Sequence, residues 1–254
     1  LDLTLEEGAE ARVGQADGAA FVNIFPPSET AEAPAAPAPG QPAPTPAAAL
    51  EPEPVRANPV PAGGVVRLDA KLQGGQVLLS FPWAAPAGAA VFRRGDAVWV
   101  VFDAPARLDV ARAPRGLRQF GRMEAFRGPD YSAVRISSPV NTPVFVISEG
   151  ATWTVALGPG AQAQPTPIRV RRDETGGPAA LTAAVSGVTR IVRIPDPMVG
   201  DTLSVATALG PPKGLLSRRE FVQMSLLPSV QGLAMESFAE DITLTRQGDL
   251  VAIG

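Results

Sequence analysis

The chain of 254 residues contains neither cysteine nor histidine. The absence of cysteine excludes disulfides, thiolate metal sites and cysteine nucleophiles, and the absence of histidine removes the commonest general base and metal ligand. A Ser-His-Asp or Cys-His catalytic arrangement is therefore impossible. Lysine is also scarce, since Lys71 and Lys213 are the only lysines among the 22 cationic residues. The formal net charge of −3 gives no indication of nucleic-acid binding.

Long apolar runs and helical periodicity are scarce too. No apolar run approaches about 18 residues, so the sequence predicts no transmembrane helix. Short runs of Val, Ile and Thr, separated by many of the 28 prolines and 25 glycines, are typical of a mostly β protein.

The stretch 77–103, VLLSFPWAAPAGAAVFRRGDAVWVVFD, carries the clearest pattern in the chain. Apolar and β-branched runs flank a short turn at Gly95-Asp96, which predicts a strand, a Pro-interrupted connection and then a β-hairpin. Residues 134–157 repeat this pattern, with Gly150 and Trp153 parallel to Gly95 and Trp99. Looser copies occur at 181–209 and at the end of the chain, so we expect β-hairpins to be the repeated unit.

Two segments precede this region. Residues 1–25 alternate in the manner of two or three strands but are too few to bury a core, so we expect them to complete a sheet of this chain or of a partner. Residues 26–62 are rich in proline and alanine and favour an extended spacer that reaches on the order of 100 Å. The spacer is either flexible or lies along a partner surface.

A single helix is predicted near 218–227. Ser217 and Glu220 match a capping box, and Pro228 would end the helix. The expected fold is therefore mostly β, with small β-sandwich-like modules built from repeated hairpins and one helix packed in the C-terminal module. The predicted organisation is N-terminal strands at 1–25, the spacer at 26–62, a β module at 63–160 and a β module with one helix at 161–254.

Acidic residues give no clear reaction centre. Asp17, Asp96, Asp201 and Asp249 each adjoin a glycine in a predicted hairpin turn, where backbone geometry explains both residue types. No calcium loop, phosphate loop or Ser-x-x-Lys motif is present. We therefore predict a protein that is not an enzyme and that has no cofactor and no metal.

Two residue types remain as candidate contacts. Trp99 and Trp153 lie inside apolar strands and favour core packing, whereas Trp83 follows Pro82 at a strand end and is the best candidate for exposure and glycan stacking. Arginines could bind an anionic glycan, a lipid headgroup or an acidic protein face, or could form a solvated surface with local ion pairs. The candidate partner or glycan contacts are Trp83, Arg93, Arg94, Arg112, Arg115, Arg118, Arg122 and Arg127.

The stretches FPWAAPAGAAVFRRGDAVWVVFDAP, IPDPMVGDTLSVATALGP and REFVQMSLLPSVQGLAMESFAEDITL resemble the β-rich N-terminal region of large exported alphaproteobacterial proteins that contain tetratricopeptide repeats. The short β units also resemble AMIN-type periplasmic modules, which are associated with peptidoglycan binding and with the localisation of envelope machines. The first resemblance covers roughly residues 65–254. It implies a non-catalytic role in the cell envelope and a helical-repeat region further along the parent chain.

These observations lead to one main hypothesis and two alternatives. The main hypothesis is a periplasmic scaffold or anchoring module of a Gram-negative envelope assembly, such as a flagellar motor, pilus or secretion machine. Its expected partners are envelope proteins, with peptidoglycan as a further candidate, and it could belong to an oligomeric assembly. The start at Leu1, without methionine, fits a removed signal peptide. The alternatives are a carbohydrate-binding accessory module of a polysaccharide-active enzyme, which needs an exposed Trp83, and an enzyme that uses carboxylates alone.

Overall fold

The computed structural model describes residues 10–16, 19–25, 56–114, 120–160, 164–172, 181–239 and 241–254. The chain divides into two compact units, Leu1–Pro54 and Val55–Gly254. In the first unit, β1 (Glu10–Ala16) and β2 (Ala19–Phe25) form an antiparallel hairpin. The last residue pair before its turn is Ala16 with Ala19. Asp17, Gly18 and residues 26–55 of the predicted spacer lie outside the described residues.

In its described residues, the second unit consists of strands, turns and loops. Its first described strands are β3 (Val65–Arg67), β4 (Asp69–Gln73), β5 (Gln76–Pro82), β6 (Ala89–Arg94), β7 (Ala97–Phe102), β8 (Arg107–Asp109), β9 (Met123–Arg127), β10 (Ser132–Ser137), β11 (Val144–Glu149) and β12 (Thr152–Leu157).

The remaining strands of this unit run from residue 166 to the end of the chain. They are β13 (Thr166–Pro167), β14 (Val170–Arg172), β15 (Leu181–Ala184), β16 (Val188–Asp196), β17 (Asp201–Ala208), β18 (Lys213–Gly214), β19 (Arg219–Glu220), β20 (Met224–Leu227), β21 (Ser229–Gln231), β22 (Leu233–Ser237), β23 (Leu244–Gln247) and β24 (Leu250–Ile253). The prediction of a mostly β protein is confirmed.

A ten-stranded sheet is the centre of the second unit. Its strand order is β19-β20-β22-β17-β6-β7-β10-β9, with β16 beside β17 and β21 beside β6. Only one residue pair, Ala208 with Ala89, joins β17 to β6, so the sheet divides at this point into two halves. Two four-stranded sheets, β11-β12-β5-β4 and β14-β15-β24-β23, accompany it, together with the short parallel pairs β3-β8 and β13-β18.

Three buried clusters hold these sheets together as layers. One half of the large sheet packs one face against β5 and β12, and the other half packs one face against β15 and β24. The remaining faces of the two halves meet each other, where Trp99 and Val101 share a cluster with Ile194, Leu203 and Val205. Because successive strand residues point to opposite faces, β7 supplies apolar residues to two cores and is buried along its whole length.

The predicted helix near 218–227 is wrong. Residues Arg219–Glu220 and Met224–Leu227 are strands β19 and β20, and β20 pairs along its length with β22. Leu226 faces one buried cluster and Leu227 faces another, a two-residue alternation that requires an extended backbone. Non-local burial on both faces therefore overrides the local capping signal.

Candidate functional site

All three tryptophans are buried. Trp83 is 6% exposed, against the expectation that its place at a strand end would expose it, because its ring packs on Phe102 with centroids 4.9 Å apart. Trp99 is fully buried between the two halves of the large sheet, and Trp153 donates its indole N–H to the carbonyl oxygen of Ala87 at 2.8 Å. No indole face is available to stack on a sugar, so a glycan platform built on tryptophan has no exposed member.

The arginines of the connector between β8 and β9 are exposed where the structure describes them. Arg112 lies in the turn after β8, and Arg127 lies in β9, which ends the ten-stranded sheet. Arg122 is largely exposed and pairs with Glu124 at 3.0 Å. Arg115 and Arg118 lie outside the described residues. These positions remain candidate contacts for a partner.

Arg94 is an internal residue that holds three carboxylates. It ends β6, and its side chain is 10% exposed. Its Nη1 donates to Asp196 at 2.6 Å and to Asp201 at 2.8 Å, its Nη2 donates to Asp201 at 2.5 Å, and its Nε donates to Glu236 at 2.7 Å. The cluster therefore fastens the β6–β7 hairpin to β16, β17 and β22.

The carboxylates of this cluster are fully engaged. Asp196 accepts a second hydrogen bond from the backbone N–H of Met198, and Glu236 accepts one from Arg218 at 2.7 Å. All six carboxylate oxygens thus have a hydrogen-bond partner. Burial alone lowers the pKa of Arg94, but its hydrogen bonds to Asp201, Asp196 and Glu236 outweigh burial and raise that pKa above its ordinary value. This arrangement stabilises fixed charges and is suited to structural support.

Arg93, the preceding residue, has a different environment. Its Nη1 donates to the carbonyl oxygens of Ser138 at 3.2 Å and Pro139 at 3.1 Å, and its Nη2 donates to that of Thr142 at 2.7 Å. Burial lowers the pKa of Arg93. In the part of the chain that the structure describes, no carboxylate forms an ion pair with Arg93. The guanidinium is held in position while its positive charge is not neutralised there.

Arg93 also lines a groove of about 210 Å³. The walls are largely apolar and include Val91, Val144, Leu215 and Val230. Leu216 lies at the groove and is 59% exposed. The groove therefore combines apolar walls with one fixed cation.

A second surface is an apolar end of the large sheet, formed by Met198, Val199, Phe221, Val222 and Phe238. Met198 and Val199 lie in the β16–β17 connection, Phe221 and Val222 lie in the β19–β20 connection, and Phe238 follows β22. The backbone N–H of Phe238 donates to the carbonyl oxygen of Gln223, and β17 begins beside the end of β22 because Leu203 pairs with Glu236. The three connections thus share one end of the sheet.

The residues of this apolar end are exposed to an unusual degree for their size. Val222 is 97% exposed, Met198 66%, Phe238 63%, Val199 62% and Phe221 37%. Large apolar side chains grouped in this way are typical of interaction surfaces, whereas scattered ones need no explanation. We refer to this surface below as the apolar end.

Sequence reasoning found both arginines of β6 but not their partners. Asp201 was assigned to turn geometry, yet it is the first residue of β17 and binds Arg94. Asp96 and Asp249 do lie in hairpin turns, and Asp249 accepts the backbone N–H of Gly187. No local signal linked Arg94 to Glu236, 142 positions away. The exposure of Phe221 and Val222 could not be predicted either, because the predicted helix at 218–227 places Phe221 on its apolar face.

Comparisons with protein-family models, with curated proteins and with solved structures find no match to this chain. Among the described residues, no helix is long and apolar enough to cross a bilayer. Within the same ranges, no group of three or more Asp and Glu residues has an arrangement that could hold a metal ion. The site is therefore interpreted from its own geometry.

Proposed function

We propose that this protein is a non-catalytic scaffold or anchoring module of a Gram-negative cell-envelope assembly, located in the periplasm. In this proposal, two β-sandwich-like modules share the ten-stranded sheet and present the apolar end to an envelope protein. Peptidoglycan is a second proposed contact, at the exposed arginines. The resemblance to exported β-rich N-terminal regions supports the location and the class.

The observation that carries the proposal is the apolar end. Its five large side chains come from three separate connections, and the neighbouring charged groups are engaged with one another around Arg94. A surface of this kind gains free energy when a partner removes it from water. It offers no group that is poised to exchange protons, so binding is the function that it favours.

Exposed sheet edges supply a further mode of contact. Within the described residues, β9 and β4 are each hydrogen-bonded to one strand, so their other edges are unpaired. Open edges pair readily with an extended segment of another chain. The arginines at positions 122 and 127 lie at the β9 edge and would favour an acidic segment or an anionic polymer there.

Site-specific photo-crosslinking in intact cells tests the proposal. A photoreactive residue at Val222 or Phe238 is expected to give one discrete adduct with an envelope protein. The same residue at Leu250, which is 43% exposed and lies in β24 away from the proposed contacts, is the matched control. Absence of an adduct at the apolar end, or equal labelling at Leu250, would contradict a protein contact at this surface.

Co-sedimentation with peptidoglycan sacculi tests the second contact. We expect pelleting that weakens at high salt, because exposed charges are screened within about 10 Å at 0.1 M. The combined substitution of Arg112, Arg122 and Arg127 by Gln should reduce pelleting, whereas Val222→Ser should not. Unchanged pelleting of the triple variant would exclude these arginines as the wall contact.

A further inference from the structure

We propose that the groove beside Arg93 binds the free carboxyl terminus of an extended peptide with an apolar last residue. This inference concerns a surface separate from the apolar end, so it goes beyond the proposed function. The ligand chemistry follows from three observations, which are the charge of Arg93, the size of the groove and the open edge of β11.

The charge of Arg93 favours an anionic ligand. Its guanidinium is fixed by three backbone carbonyls, which orient the group but do not neutralise it. Partial burial lowers its pKa, as expected for a cation that loses part of its hydration and has no carboxylate partner among the described residues. A bound carboxylate would provide the missing charge and accept a directed hydrogen bond from a pre-positioned donor. For Arg94, by contrast, carboxylates of the protein itself balance the positive charge.

The size of the groove limits what can enter. A volume of about 210 Å³ is smaller than the pockets of about 300–1,000 Å³ that enclose whole small molecules. It can hold one apolar side chain and a terminal carboxylate. The apolar walls formed by Val91, Leu215 and Val230 suit such a side chain.

The unpaired backbone groups of β11 could hydrogen-bond the residues of the peptide that precede its carboxyl terminus. Among the described residues, β11 is hydrogen-bonded to one strand, β12, and β21 lies near it without pairing. The N–H of Gly158 donates to the carbonyl oxygen of Pro143, so Pro143 faces β12 and Val144 directs its own N–H and C=O to the open edge. Val144 also lines the groove. An extended peptide that pairs with β11 at Val144 would end beside Arg93.

The test uses the full chain and two synthetic peptide pools. Both pools are hexapeptides randomised at the last three positions, and they differ only in a free carboxyl terminus or a C-terminal amide. Immobilised protein should retain free-acid peptides with apolar last residues at least about tenfold over their amides. Selected peptides are then measured by fluorescence anisotropy.

Variants at the groove separate binding from folding. Arg93→Met should abolish the preference for the free acid, and Arg93→Lys should retain part of it. Because Arg93 also bonds three carbonyls, exposed Leu216 provides a second pair: Leu216→Glu should weaken binding about tenfold by repulsion, and Leu216→Lys should not. Val222→Ser at the apolar end should leave peptide binding unchanged.

Equal retention of acids and amides would overturn the proposal, as would binding that is unaffected by both Arg93→Met and Leu216→Glu. Tighter binding of a simple fatty acid such as octanoate than of any peptide would also overturn it, because the ligand would then not be a peptide. Crosslinking at Val222 is independent of these results, so a failure here and a failure of the proposed function can be told apart.

Discussion

Arg93 and Arg94 are consecutive in β6, yet only the guanidinium group of Arg94 is paired with carboxylates. Arg94 binds the carboxylates of Asp196, Asp201 and Glu236, whereas Arg93 binds three backbone carbonyls and lines an apolar groove. The cause is the alternation of side chains along a strand, which directs neighbours to opposite faces. One face of this strand end joins the carboxylate cluster, and the other contributes to the groove that we propose as a peptide site.

Removal of the Arg94 guanidinium should destabilise the fold strongly. Arg94→Met leaves three carboxylates around an apolar side chain, and the loss of one partner from a buried ionic cluster costs about 3–5 kcal/mol. Urea unfolding measures the change. Arg122→Met is the control, since Arg122 is 81% exposed in its pair with Glu124 and should shift stability by no more than about 0.5 kcal/mol. Equal effects of the two variants would contradict the structural role of the cluster.

Lys213 should make stability rise at alkaline pH. Its residue is 5% exposed, its Nζ donates to the carbonyl oxygen of Leu209, and burial lowers its pKa below 10.5, partly offset by Asp249. Between the lowered pKa and 10.5 the unfolded chain binds more protons than the folded chain, so the free energy of unfolding increases with pH.

The measurement compares unfolding free energies of the wild type and Lys213→Met from pH 8 upward. The wild type should gain stability relative to Lys213→Met as pH approaches 10.5. Lys71→Met serves as the control because Lys71 is the other lysine and its side chain is 72% exposed. A constant difference between the wild type and Lys213→Met across this range would show that the lysine pKa is not lowered by folding.

Gly232 lies where two strands of the large sheet approach closely. Its φ is +67°, and an added Cβ would lie 2.5 Å from the carbonyl oxygen of Ala206 and 2.8 Å from the Cβ of Ala90. Gly95 has a φ of +55° and no atom near such a Cβ. Gly95→Ala should therefore cost about 1–2 kcal/mol for backbone strain, and Gly232→Ala should cost about 1–3 kcal/mol more for overpacking. Thermal and urea unfolding distinguish the two.

The burial of all three tryptophans predicts the fluorescence of the native protein. Trp83, Trp99 and Trp153 should emit at short wavelength, resist quenching by acrylamide and remain unaffected by soluble oligosaccharides. Unfolding in urea should shift the emission to longer wavelength. Efficient quenching of the native protein would show an exposed indole and would restore the alternative of a glycan platform.

The hairpins show how far local pattern can lead. Gly95-Asp96 and Gly150-Ala151 each occupy a two-residue turn between paired strands, so both hairpins of the repeated pattern are present, although the second turn was expected at residues 148–150. The sequence did not show that β5 leaves the sheet of β6 and β7 and pairs with β4 and β12 instead. Strand propensity is a property of neighbouring residues, whereas the choice of a partner strand depends on residues far along the chain.

For the candidate site, too, some features follow from the sequence and others only from the tertiary structure. Sequence composition determined a β class, short strands, Gly-containing turns and a chain without cysteine or histidine chemistry, because each follows from residue types within a few positions of one another. Tertiary structure decided that residues 224–227 form a strand and that Trp83 is buried. It also decided that Arg94 pairs with three carboxylates, whereas Arg93 lines a groove. These outcomes depend on which faces of distant strands are removed from water together, and the free energy of that burial exceeds any local preference.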